Sequence, residues 1–143
     1  MRLVDFIEGN RRIALERGEL VSAIQLPKPA GATGSAFERM TRRRGVDLAT
    51  VNVCCAIDRA GVASFAFGAV APKAFLVQDA GELAHPGTSA SRRSAIMDAL
   101  FSGASPITDV RASADYRRAM IRTLAERALS RAILRRAAGG HHG

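Results

Sequence analysis

Asp47-Leu48-Ala49-Thr50-Val51-Asn52-Val53-Cys54-Cys55-Ala56-Ile57-Asp58, then Arg59-Ala60-Gly61, then Val62-Ala63-Ser64-Phe65-Ala66-Phe67-Gly68-Ala69-Val70, is the stretch that decides the fold. The first run is the most apolar of the chain and the last carries two phenylalanines. Both read as strands, bounded by turn residues. The link between them is too short for a crossover, so the two must pair antiparallel. Neighbouring residues on a strand point to opposite faces, so Cys54 and Cys55 face apart. They are poorly placed to share a metal or to bond to each other, and read as two ordinary thiols.

Upstream, residues 35–41 form a further strand candidate, joined to the central one by the basic turn Arg42-Arg43-Arg44-Gly45. Earlier still, residues 20–26 alternate apolar and polar, which predicts a strand ended by Pro27-Lys28-Pro29-Ala30-Gly31. Turn signals at Glu8-Gly9-Asn10 and Arg17-Gly18 precede it. Downstream, Ala71-Pro72-Lys73 closes the strand region and the pattern shifts toward helix. A short helix is expected over 77–84, ended by His85-Pro86-Gly87. A second starts at a Ser89 or Ser91 cap and reaches Phe101. Ser113 caps the last, with Asp115 in its first turn, and that helix runs to about Arg136. Along it Met120, Leu124 and Ala128 form one apolar line, with Ile121 and Ala125 beside it. Arg131 and Arg135 continue the first line, either snorkelling at a frayed end or marking contact with another subunit. Strands first and helices after predict an α+β fold, an antiparallel sheet of three to four strands covered on one face by helices.

The chain's 143 residues suffice for one domain with a real core, and 48% hydrophobic content excludes a disordered chain. No run approaches the ~18 apolar residues needed to span a bilayer. An acidic residue at position 5 breaks the opening where a signal peptide would be apolar, and two adjacent cysteines make no disulfide framework, so a soluble, cytoplasmic protein is expected. The formal net charge is +8, while aromatics are only 5%. Such a balance suits a solvated basic helix face, an acidic partner or a cofactor phosphate. With few rings for bases to stack on, nucleic acid is the weaker reading.

Complete catalytic centres are missing from the pattern. Gly31-Ala32-Thr33-Gly34-Ser35 precedes a strand and does not open a helix, so it is no phosphate cradle. No cysteine or histidine cluster has metal spacing, and His141 and His142 fall in a tail expected to be flexible, 139–143. His85 precedes a proline in a loop, and the carboxylates are scattered. Asp109 and Arg111, two apart, are expected to pair and pin the loop before the last helix.

Four motifs in order resemble the C-terminal domain of the FAD-binding (medium) subunit of molybdenum hydroxylases, the family of carbon monoxide dehydrogenase and xanthine dehydrogenase flavoproteins. They are Gly34-Ser35-Ala36-Phe37-Glu38-Arg39-Met40; Arg42-Arg43-Arg44 with Asp47-Leu48-Ala49-Thr50-Val51; Gly68-Ala69-Val70-Ala71-Pro72; and the run from Pro106 through Asp109-Val110-Arg111-Ala112-Ser113-Ala114-Asp115-Tyr116-Arg117-Arg118-Ala119 to Met120. The resemblance implies an antiparallel sheet backed by three helices. It implies residues 1–27 as the joint with a FAD-binding domain that the chain does not contain, and 28–138 as the C-terminal flavoprotein domain. FAD in that family relays electrons from an iron–sulfur small subunit, fed by a molybdenum large subunit. The residues matching its flavin side are Arg43, Asp47, Leu48 and Lys73. Two departures stand out: Val46 is an extra residue before the acid, and Lys73-Ala74-Phe75-Leu76-Val77 stands where the family often has Pro-Leu-Arg-Ala. The expectation is a component that supports FAD-mediated electron transfer in a multi-subunit oxidoreductase, has no catalytic residue of its own and does not hold FAD tightly alone. The alternative is a non-enzymatic interaction or homo-oligomerisation domain that keeps the fold.

Overall fold

The computed structural model describes residues 1–26, 31–43 and 45–139. The Pro27–Ala30 turn, Arg44 of the basic turn and the tail histidines lie outside the described residues. A short helix α1 (Leu3–Phe6) leads into a small hairpin of β1 (Ile7–Gly9) and β2 (Arg12–Ile13). Then come β3 (Gly34–Met40), β4 (Val51–Ile57), β5 (Ala63–Gly68), β6 (Phe75–Gln78), α2 (Ala90–Phe101) and α3 (Ala114–Gly139). β3 to β6 form one antiparallel sheet in sequence order.

The β4–β5 hairpin forms as its sequence requires. Asp58 Oδ1 accepts the Val62 amide at 2.9 Å, and Gly61 takes the left-handed conformation at φ +92°. Alternation then sorts the side chains. Val51, Val53, Cys55 and Ile57 of β4, with Ala63, Phe65 and Phe67 of β5, are buried on one face. Phe37, Cys54, Ala66 and Leu76 fall in one cross-strand row on the other, where Phe37 is 58% and Leu76 60% exposed.

Two helices cover the buried face. α3 lies over β3 and β4, presenting Ile121, Leu124, Ala125, Ala128, Leu129 and Ala132. Those positions recur at three- and four-residue spacing, one side of a helix. Ser113 caps α3, its Oγ accepting the Tyr116 amide at 3.2 Å, and Ser89 caps α2 by accepting the Arg92 amide at 3.2 Å. α2 closes the β6 side. Its Phe101 ring meets Phe65 and Phe67 edge-on, with centroids 5.4 and 4.9 Å apart. Small residues let α3 approach closely. A Cβ added at Gly34 would sit 2.1 Å from the Ala132 carbonyl oxygen and 2.6 Å from the Arg136 amide nitrogen.

Three expectations change. The helix over 77–84 is absent; β6 occupies its start. Asp79, buried after β6, accepts the amides of Ala63 (2.7 Å) and Leu83 (2.6 Å), turning the chain sharply where a helix would continue. Residues 20–26 carry no strand, because no neighbour among the described residues supplies a hydrogen-bond ladder; Leu20, Ile24 and Leu26 are exposed. Arg131 and Arg135 do not fray: Arg131 pairs with Glu38, and Arg135 Nη1 donates to the Ser35 carbonyl at 2.6 Å, clasping the free edge of β3.

Gly34→Ala must push α3 off β3, and should cost roughly 1–3 kcal/mol in a denaturant titration. Burial, followed by Cys54 and Asp79, pushes the Cys55 thiol up to about 12. At pH 8 an aromatic disulfide reagent should therefore modify one thiol per native chain, Cys54, and the second only in denaturant. Equal native reactivity of both would contradict the face assignment.

Candidate functional site

Antiparallel pairing brings two loops to one end of the sheet. β3 finishes where Met40 pairs with Val51, and β5 finishes where Gly68 pairs with Asn52. Loops 41–50 and 69–74 therefore leave side by side. Arg43, Asp47 and Leu48 lie on the first and Lys73 on the second.

The first loop folds on itself. Asp47 Oδ2 accepts the Arg42 amide at 3.1 Å, Thr41 Oγ1 donates to the Arg43 carbonyl at 3.0 Å, and Arg43 Nη2 donates to the Val46 carbonyl at 3.0 Å. Partial desolvation works to raise the Asp47 carboxyl. The amides of Arg42 and Leu48 and the charges of Arg42 and Arg43 outweigh it and hold the group below the usual carboxylate range. Apolar side chains are left at the tip: Val46 is 93% and Leu48 66% exposed. Lys73 is exposed on the neighbouring loop. Its charge reaches Asp5 of α1, which is held ionised first by its hydrogen bond to Arg2. Arg43 and Asp47 are brought within electrostatic reach of each other, and Lys73 within reach of Asp5. The two loops that carry Arg43, Asp47, Leu48 and Lys73 make up the rim of this end of the sheet.

Beneath the rim is a residue the sequence pattern did not single out. Arg117, on the first turn of α3, is 2% exposed. Its Nη1 donates to the carbonyls of Thr50 (2.7 Å) and Ala69 (3.0 Å), and Nη2 donates to Asp109 Oδ1 at 2.7 Å. Thr50 ends the first loop and Ala69 begins the second. Asp109 is fixed in turn by the Arg111 amide (2.8 Å), the Ala112 amide (3.3 Å) and Arg111 Nη1 (3.0 Å). The expected Asp109–Arg111 pair is present, but as the outer half of a larger network. The signal was available: Arg117 stands four residues before Ile121, on the same buried stripe. The Arg111 amide is the main cause that lowers the Asp109 carboxyl. Burial opposes it, and Arg117 and the Ala112 amide add to it.

Other features lie apart from this end. A shallow apolar hollow of about 320 Å³ sits by Ala32, Ile57, Ala84, Pro86, Ile133 and Arg136, at the far end of β4. His85 Nδ1 accepts the Gly87 amide at 3.1 Å, a local turn contact. Among the described residues no group of three or more His, Cys, Asp or Glu could hold a metal ion, and no helix is long and apolar enough to cross a membrane.

A four-stranded antiparallel sheet under two long helices, with two loops leaving one end side by side, defines an α+β domain. The chain belongs to the CO dehydrogenase flavoprotein C-terminal domain family, whose model matches residues 35–132. It is 30% identical over 140 residues to the carbon monoxide dehydrogenase medium chain of Afipia carboxidovorans, covering 92% of this chain and 47% of that one. It is 28% identical over 141 residues to the xanthine dehydrogenase FAD-binding subunit of Escherichia coli O157:H7, covering 94% and 48%. The fold superposes on carbon monoxide dehydrogenase from Hydrogenophaga pseudoflava with a TM-score of 0.76 and 31% identity, over 92% of this chain and 47% of that chain. The chain spans about half the length of these relatives.

Because Asp109 titrates lower in the folded chain than in the unfolded one, its contribution is present in full above the unfolded aspartate value of about 4. It is lost as pH falls from there through the folded value. Asp109→Asn should lower stability at pH 7 and flatten its pH dependence below about pH 4, read from thermal melts at pH 2.5 to 7. An unchanged acid slope would remove Asp109 from the network's energetics.

Proposed function

We propose that the chain forms one wall of a flavin site and supports FAD-mediated electron transfer within a multi-subunit molybdenum hydroxylase. The observation that carries this reading is the placement of the family's motifs. Arg43, Asp47 and Leu48, separate in sequence from Lys73, share one end of the sheet with it and stand on loops tied by Arg117.

The rim suits part of a flavin and not the whole. Arg43 and Lys73 offer cationic donors, Asp47 an acceptor already held ionised, and Leu48 an apolar surface for a ring face. A small-molecule site is normally concave and buries most of its ligand. An open rim reaches that condition only when a second body closes over it. FAD, held so, would supply the step from paired to single electrons. This chain's residues would orient the ring edge and exclude water from one side.

The second body is a FAD-binding domain carrying the pyrophosphate grip, with an iron–sulfur subunit and a molybdenum subunit beyond it. Residues 1–26 support a docking role. Leu3, Val4, Leu20, Val21, Ile24 and Leu26 are all more than half exposed, and a lone two-stranded hairpin such as β1–β2 is marginal in water. An apolar partner surface covering that segment would extend the contact next to Lys73.

Mixing the purified chain with a FAD-binding domain of a related flavoprotein subunit should give a stoichiometric yellow complex by size exclusion with absorbance near 450 nm. The chain alone should stay colourless with added FAD. No association at micromolar concentration, or stoichiometric FAD on the chain alone, would overturn the proposal.

A further inference from the structure

We infer that Arg117 is a positioning residue that sets the spacing of loops 41–50 and 69–74. That these loops face a flavin rests on the reading above; that Arg117 couples them does not.

Four observations carry the inference. One nitrogen, Nη1, spans both loops, taking the Thr50 carbonyl at 2.7 Å and the Ala69 carbonyl at 3.0 Å. Its two hydrogens serve one acceptor each and hold them at a fixed separation, because the guanidinium is planar and rigid. The guanidinium is itself anchored. Nη2 meets Asp109 at 2.7 Å, and Asp109 is held by two backbone amides and Arg111, so the loops are gauged against the start of α3.

Ala69 adopts φ +64°, a left-handed conformation that costs any residue with a Cβ. Strain of this sort persists where the surroundings over-determine it. Here the conformation delivers the Ala69 carbonyl to Arg117.

Stability alone does not account for the arrangement. Arg117 Nε is buried with no hydrogen-bond partner among the described residues. Burying a charged group with an idle donor is costly, and an apolar side chain of similar volume commonly packs as well or better. What an apolar residue cannot supply is a two-carbonyl gauge. Lysine cannot supply it either, since its ammonium is a point donor on a flexible stem.

The test is hydrogen–deuterium exchange on the full chain carrying Arg117→Gln, with Gly34→Ala as a destabilised control at the far end of the sheet. Arg117→Gln should speed exchange about tenfold in peptides covering both 41–50 and 69–74, at a temperature where circular dichroism shows both variants folded. Gly34→Ala should leave those peptides unchanged relative to the rest of the chain. If Arg117→Gln does not fold, Arg117→Lys serves, with both loops loosened and Asp109 still paired. Loosening of one loop only, of neither, or of both equally in the control overturns the coupling. A second arm reads FAD affinity in the reconstituted complex. A roughly tenfold loss in Arg117→Gln but not in Gly34→Ala supports both inferences. Loosened loops with unchanged FAD affinity keep the coupling and count against the flavin reading.

Discussion

The buried guanidinium of Arg117 is the constraint on which the loop end of the domain depends. A charge taken out of water must meet fixed acceptors, and those acceptors must come from somewhere. Here they come from the ends of β3–β4 and β5–β6 connections and from the segment before α3. Meeting them fixes the first turn of α3 over the sheet, turns the Ala69 carbonyl inward through a left-handed residue, and draws residues 109–112 into a tight turn around Asp109. The rim of Arg43, Asp47, Leu48 and Lys73 is therefore carried by loops whose roots are tied, although their tips are exposed.

The basic charge of the chain has a structural use that composition alone does not disclose. Arg122 on α3 bonds Asp98 of α2 at 2.5 Å, Glu126 at 2.6 Å and the Ser94 carbonyl at 3.1 Å, tying the two helices. Arg131, Arg135 and Arg136 run down one side of the helix and engage Glu38 and the carbonyls of Ser35, Ala32 and Arg59. An edge strand left open invites pairing with other chains. The arginines that close β3 address that hazard. The stripe is thus committed to the chain's own backbone and is a poor candidate for a nucleic-acid footprint. Apolar exposure lies elsewhere, on residues 1–26, at the loop tips and on the open face of the sheet at Phe37 and Leu76.

The two loops that carry the candidate residues were legible in the chain because the motifs are local. Asp47 and Leu48 follow the basic turn, and Ala71-Pro72 marks the second loop, so both segments announce themselves. That they meet at one end follows from the hairpin at 58–62, since antiparallel strands return their ends. Arg117 was hidden because the two carbonyls it ties are 67 and 48 residues away. In the sequence it is one of many arginines on a basic helix, and only its step of four from Ile121 sets it apart.

By itself, the sequence determined the β4–β5 hairpin, the sorting of Cys54 and Cys55 to opposite faces, and the caps and buried stripe of α3. Each depends on residues close in the chain, through alternation, turn chemistry or helical spacing. Tertiary structure decided the rest. Residues 75–78 became a strand because β5 offered an edge, and Asp79 took the Leu83 amide that a helix would have used while also accepting the Ala63 amide of β5. Residues 20–26, with equally good alternation, pair with no strand among the described residues. Strand identity is settled by the neighbour that completes its hydrogen bonds, and a buried charge by the acceptors gathered around it; neither is written in the local order of residues.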